Sequence, residues 1–191
     1  MTRVISDMSM SLDGFVTGPD DSRENPFGTG AEGLHDWIFK DSTDEDAAIL
    51  DEAVAHCGAL VMGRRSFEKN EGDGGWGDGG PVGDTPVFVV THHAPTRRYP
   101  SVFTFVTDGV ESAIRQARAA AGDKDVGLHG ATTAQQALNL GLLDEIQVHV
   151  VPVLLGGGTR LFDHLGGPVT LRRRRVVATP AATHLRFDVV R

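Results

Sequence analysis

Three apolar runs in this chain break off in the same way. "ALVM" (59–62) passes into Gly63-Arg64-Arg65-Ser66, "VFVV" (87–90) into Thr91-His92-His93, and "VGLH" (126–129) into Gly130-Ala131-Thr132-Thr133. Short apolar runs without alternation are the habit of strands covered on both faces, as in parallel sheets. Parallel strands need crossover connections, usually helices. A chain built this way is confined to an α/β architecture, and its strands finish at one edge.

The intervening segments fit. Residues 3–10 alternate weakly and read as a first strand. Residues 11–33, rich in Gly, Asp, Ser, Asn and Pro, read as a long loop. "LHDWIF" (34–39) is a short helix. Residues 44–56 form a longer one, with Thr43 as cap, Asp44, Glu45 and Asp46 at its positive end and Gly58 just past it. Residues 71–83 hold seven glycines around Trp76 and read as a flexible loop. After a strand at 101–108, Asp108 and Glu111 resemble a capping box. Val110, Ala113, Ile114, Ala117 and Ala121 then share one helical face, which Gly122 ends. A helix from 131 stops at Gly141, and "DEIQVHVVPVLLGGG" (144–158) reads as a long strand with a glycine turn. Residues 169–177 and 183–190 form a terminal antiparallel pair, in which Leu185, Phe187 and Val189 alternate with polar residues. The sheet is expected to be mostly parallel with an antiparallel edge, within one domain spanning 1–191.

Charge excludes some functions. The formal net charge is −8, against the clustered cations that a nucleic-acid surface needs. The dense basic run, Arg172 to Arg175, falls on the edge strand and is expected to split between its two faces. Cys57 is the single cysteine, so no internal disulfide forms, and its setting reads as a packed thiol. No window reaches the length of a membrane span, and the N-terminal residues lack an apolar signal core. A cytoplasmic protein is expected. The histidines show no metal-ligand spacing, and no Gly-x-Ser-x-Gly elbow occurs.

In open α/β sheets ligands bind beyond the carboxyl ends of the strands. Here those ends carry glycines, hydroxyls, two arginines and two imidazoles, a set suited to phosphates. The pattern favours a dinucleotide.

Four segments, "MSMSLDGFVTGPDD" (8–21), "VMGRRSFE" (61–68), "PVFVVTH" (86–92) and "GLLDEIQVHVVPVLLGGGTRLF" (141–162), together resemble the dihydrofolate reductase superfamily, in its riboflavin-biosynthesis reductase C-terminal domain branch. The resemblance spans almost the whole chain. It implies a three-layer fold, with a central eight-stranded sheet flanked by helices and an NADPH site along the strand ends.

Carried over by position, Gly63, Arg64, Arg65 and Ser66 hold the cofactor's phosphates, and Thr91 and His92 lie on its adenosine side. Gly130, Ala131, Thr132 and Thr133 form the pyrophosphate turn, which departs from the family's Gly-Gly pair by placing His129 first. The loop Leu12, Asp13, Gly14, Phe15, Val16 and Thr17 lies against the nicotinamide. Folate reductases place a carboxylate on the first helix. Asp36 is near that place, but the frame aligned on Phe39 and Lys40 puts His35 there, which argues against folate as substrate. Asp36, then Asp13, are the candidates for supporting proton delivery, and Asp13-Gly14 is equally a turn signature.

The expectation is therefore an NADPH-dependent reductase acting on a C=N or C=O of a small heterocyclic or carbonyl substrate. The alternatives are 5-amino-6-(5-phosphoribosylamino)uracil reductase and an NADPH-binding protein without turnover. The branch also implies a homodimer, formed through the sheet edge at 169–190.

Overall fold

In the computed structural model the described residues are 2–71 and 79–191. Trp76 and most of the glycine-rich loop expected at 71–83 lie outside them. The strands are β1 (Val4–Ser11), β2 (Phe15–Thr17), β3 (Cys57–Gly63), β4 (Val87–Val90), β5 (Phe103–Val106), β6 (Asp125–His129), β7 (Glu145–Val151), β8 (Thr159–Arg160), β9 (Thr170–Ala178) and β10 (Thr183–Val190). The helices are α1 (Asp36–Phe39), α2 (Asp44–His56), α3 (Arg64–Asn70), α4 (Val110–Ala121) and α5 (Ala131–Asn139), and a 3-10 turn at Glu32–His35 leads into α1.

Eight strands form one sheet in the order β5-β4-β3-β6-β1-β7-β10-β9, while β2 and β8 pair separately. Neighbours from β5 through to β7 run parallel, and β10 runs antiparallel to both β7 and β9. The mostly parallel eight-stranded sheet and its antiparallel edge are as expected.

Alternation along each strand sorts the residues into two layers. Val4, Ala59, Val61, Val126, Leu128, Ile146 and Val148 pack with Ala113, Ile114 and Ala117 of α4 and Ala134 and Ala137 of α5. On the opposite face, Met62, Val87 and Val89 pack with Phe67 of α3. Further along that face, Ile5, Asp7 and Ser9 of β1 lie opposite Glu145, Gln147 and His149 of β7, and Arg186 and His184 of β10 lie opposite Gln147 and His149. This polar stretch faces α1 and α2.

Several local expectations change. Thr43 and Asp46 do close a reciprocal capping box on α2, an arrangement in which the cap is worth about 1 kcal/mol. The helix does not end on Gly58, since Cys57 already enters β3. A Cβ on Gly58 would stand 2.5 Å from the Ala121 carbonyl oxygen, so this glycine allows a close approach to α4. Asp108 makes no cap for α4. Gly109, at φ 96°, takes that position without a side-chain bond. The long strand expected from 144 up to the glycine turn at 156–158 ends at Val151, before Pro152, which has no N–H to continue the ladder.

Candidate active site

The carboxyl ends of β1, β3, β4 and β6 border a cleft of about 700 Å3. The β3–α3 and β6–α5 turns interlock at its centre. A Cβ on Gly63 would sit 3.3 Å from Thr133 Oγ1, and one on Gly130, at φ 101°, 2.7 Å from Ser66 Oγ. The glycines thus bring backbone and two hydroxyls together without intervening side chains.

Arg64, Arg65 and Lys69 stand on one wall. The Arg64 guanidinium lies 5.9 Å from the Phe105 ring centroid and bonds Glu68 at 2.7 Å. Arg65 and Lys69 both pair with Asp21, which the long loop carries to the cleft and buries there. Thr91, His92 and His93 supply the neighbouring wall, where Thr91 Oγ1 accepts the His93 N–H at 3.3 Å.

A second chamber, of about 440 Å3, lies between the polar stretch of the sheet and α1 and α2. Ile38, Ile49, Leu60 and Met62 give it apolar walls, and Asp7 and Gln147 are on its floor. Met8, Ser9, His35 and His129 line both spaces, so the two meet there. Trp37 closes the junction from behind: it is buried and donates Nε1–H to Ser9 Oγ at 2.9 Å.

The two histidines at the junction are held neutral. Loss of solvent lowers His129 from 6.5 to about 4, and repulsion from a protonated His35 and from Lys69 would oppose its charging further. Burial lowers His35 as well, helped by His149 and opposed by Asp36. Among the described residues the Nδ1 atoms of both rings are buried without a hydrogen-bond partner, leaving them available to a ligand.

The structure brings Val16, Thr17, Gly63, Arg64, Arg65, Ser66, Thr91, His92, His129, Gly130, Ala131, Thr132 and Thr133 to the cleft. The rest of the expected loop does not line it. Leu12 is exposed, Phe15 is buried beneath the Arg160 guanidinium, and Gly14 makes the turn, its N–H donating to the Ser11 carbonyl. Both carboxylates expected to support proton delivery also lie elsewhere. Asp13 accepts the Ser11 hydroxyl at 2.6 Å and the N–H groups of Leu155 and Gly156. Those bonds, the Ser11 one foremost, hold its carboxyl at about 2 despite some desolvation. It braces the loop against the 154–158 turn. Asp36 lines neither space and pairs with Lys40 at 2.9 Å.

Sequence reasoning missed Asp7, Ser9 and Lys69. Asp7 had one available signal, a carboxylate in the middle of the segment read as the first strand. Among the described residues no cluster of His, Cys, Asp and Glu could hold a metal ion, and no helix is long and apolar enough to cross a membrane.

Solved structures share this fold. A protein ascribed to riboflavin biosynthesis from Shewanella sp. PV-4 superposes with a TM-score of 0.75 at 22% identity, covering all of both chains. The diaminohydroxyphosphoribosylaminopyrimidine deaminase/5-amino-6-(5-phosphoribosylamino)uracil reductase of Thermotoga maritima gives 0.64 at 14% identity, over 99% of this chain and 57% of that one. Dihydrofolate reductase from Enterococcus faecalis, complexed with NADP(H), gives 0.63 at 13% identity, over 98% and 96%. In sequence, the uncharacterised Bacillus subtilis protein YyaP is 26% identical over 185 residues, which is 89% of this chain and 85% of that protein. The model of the RibD C-terminal domain matches residues 2–185. With that match across nearly its whole length, the chain belongs to the RibD C-terminal domain family.

Proposed function

We propose that the protein is an NADPH-dependent reductase that delivers hydride to the carbon of a C=N or C=O group in a small substrate. The observation that carries this reading is the meeting of two chemically different spaces at Met8, Ser9, His35 and His129. One bears cations and glycine turns, and the other is mostly apolar.

The first space fits the cofactor. Ser66, Thr133 and the glycine turns suit its diphosphate, Arg64 its 2′-phosphate, and Thr91 and His92 its adenosine. When bound, NADPH supplies the hydride. The chain's own residues orient the two ligands and keep water out, and Trp37, Met8 and Val16 supply apolar surface for that. His35 and His129 flank the junction as neutral imidazoles, which can accept or donate a hydrogen bond there without adding charge.

A second reading, reduction of 5-amino-6-(5-phosphoribosylamino)uracil, is favoured by the family match. That substrate carries a phosphate, whereas Arg186, the guanidinium on the second chamber's wall, is already bonded to Glu145 and Glu52. The first reading is therefore preferred.

The test is direct. NADPH should quench the protein's tryptophan fluorescence at micromolar concentration, and its absorbance at the nicotinamide band should fall when a panel of imines, ketones and aldehydes is added. Binding with no turnover across the panel would leave an NADPH-binding protein without catalysis. The absence of binding would reject the reading.

A further inference from the structure

A line of four buried or half-buried side chains runs beneath the second chamber, and none of the four lines the first cleft. Asp46 Oδ1 lies 2.7 Å from His184 Nε2, His184 Nδ1 2.7 Å from His149 Nδ1, and His149 Nε2 2.6 Å from Asp7 Oδ1. Three strands and one helix supply these groups. Asp7 is on β1, His149 on β7, His184 on β10 and Asp46 on the first turn of α2.

The proton content of this line follows from its geometry. Two imidazole nitrogens 2.7 Å apart hold together only if one carries hydrogen and the other a lone pair. Each outer nitrogen faces a carboxylate. Asp46 is the fixed end: burial alone would raise it, but bonds from Thr43, His184 and Thr179 outweigh that and lower it. Burial lowers His184, against the pull of Asp46. His184 therefore donates Nε2–H to Asp46 and accepts at Nδ1, while His149 donates from Nδ1. The remaining proton lies between His149 Nε2 and Asp7. On His149, it leaves Asp7 an ionised acceptor beside an imidazolium. On Asp7, it leaves two neutral imidazoles. No other bond changes between the two forms.

Asp7 is the end that meets the chamber. Its Oδ2 accepts Gln147 Nε2 at 3.3 Å, and its side chain is 30% exposed, with acceptor capacity to spare. The cations around it are already committed. Glu52, Asp125 and Glu145 also line the chamber. Arg186 is bonded to two of them, Arg3 adds a bond to Glu145 at 2.6 Å, and Arg175 adds one to Glu52 at 2.7 Å. No uncommitted cation faces the space among its described residues, in contrast to the arginine wall of the cleft.

We propose that Asp7 is the substrate anchor of the second chamber, and that the substrate it selects is a phosphate-free ring or small amine derivative carrying a protonated C=N group. The inference rests on the reductase reading above. A cation brought against Asp7 stabilises its ionised form, and the line answers by keeping the proton on His149. His149 and His184 are positioning residues, fixing the carboxylate and its charge. Hydride addition then balances without a separate acid. The C=N carbon gains hydride, the π pair becomes the nitrogen lone pair, the proton already on nitrogen stays, and the reduced nicotinamide is oxidised.

Benzamidine, a planar amidinium, and phenyl phosphate, an anion of similar size, test the anchor by calorimetry without turnover. Benzamidine should bind the wild type and lose roughly tenfold or more in Asp7→Asn, since bonds to charged groups are the strong ones. Phenyl phosphate should not bind the second chamber. NADPH affinity and melting temperature should stay unchanged in Asp7→Asn, which separates loss of the anchor from loss of fold. His149→Phe should weaken benzamidine, and His149→Gln, which keeps one N–H for Asp7, should restore part of the affinity. Equal benzamidine binding in wild type and Asp7→Asn would overturn the proposal, as would phenyl phosphate competing with benzamidine. If NADPH does not bind while benzamidine binds through Asp7, the anchor stands and the reductase reading falls.

Discussion

Gly130 and Ser66 occupy one another's space: a side chain on the first would stand 2.7 Å from the hydroxyl of the second. The two turns that carry them come from strands joined directly in the sheet, β3 and β6, so neither turn can retreat without disturbing the ladder. Gly130→Ala should therefore lose stability by about 1–3 kcal/mol, because its backbone at φ 101° is strained for any residue with a Cβ. It should also weaken NADPH. Urea unfolding and NADPH titration check both, and an unchanged melt would show that the turn adapts.

Arg64 is expected to choose between cofactors. It stands at the wall beyond Gly63, against Phe105, and its Glu68 partner is exposed. Arg65 is already drawn to Asp21. One charge-assisted bond is worth roughly 1.5–3 kcal/mol, about ten- to 150-fold. Arg64→Ala should cost NADPH affinity in that range and leave NADH nearly untouched. Equal losses would move Arg64 to the diphosphate.

His129 should make the fold acid-sensitive. Its ring titrates at about 4 in the folded protein and at 6.5 when exposed. Between those values the unfolded chain binds a proton that the folded chain refuses, so stability rises with pH across that window and is indifferent to this group above it. Melting temperatures of the wild type should drop between pH 6.5 and 4 more steeply than those of His129→Gln. Parallel curves would remove His129 as the cause.

A homodimer remains our proposal for the β9 edge. That strand's outer backbone is unpaired, and Leu171 and Val176 are exposed along it. Arg172 and Arg174 reach Asp188, and Arg175 reaches Glu52, so these arginines are tied within the chain. Sedimentation should give twice the 20.4 kDa chain mass. Monomer alone at micromolar concentration would reject it.

The lining of the first cleft was legible in the sequence because it is local. Gly63 to Ser66 and Gly130 to Thr133 are contiguous, and each follows a strand whose apolar run announces where it ends. Thr43 likewise declared its helix. The second chamber was not legible, because its parts meet only through strand order. Asp7 and His149 are far apart in the chain, and neither has a neighbour that hints at the other. Asp13 and Asp36 failed as candidates for the same reason. A carboxylate's role depends on which donors fold back to it, and Ser11 with the 155–156 backbone claimed the first while Lys40 claimed the second.

The register of β10 carries a consequence for how the protein comes into being. Gly63, Thr91 and Gly130 all leave the ribosome before β7, so these strand ends are made while synthesis continues. His184 arrives only with the antiparallel strand that pairs with β7. The three glycine and hydroxyl turns of the cleft are thus synthesised long before Asp7 has its finished surroundings. On the reductase reading proposed above, the parts assigned to binding are made first, and the surroundings of Asp7 are completed only when the last hairpin docks.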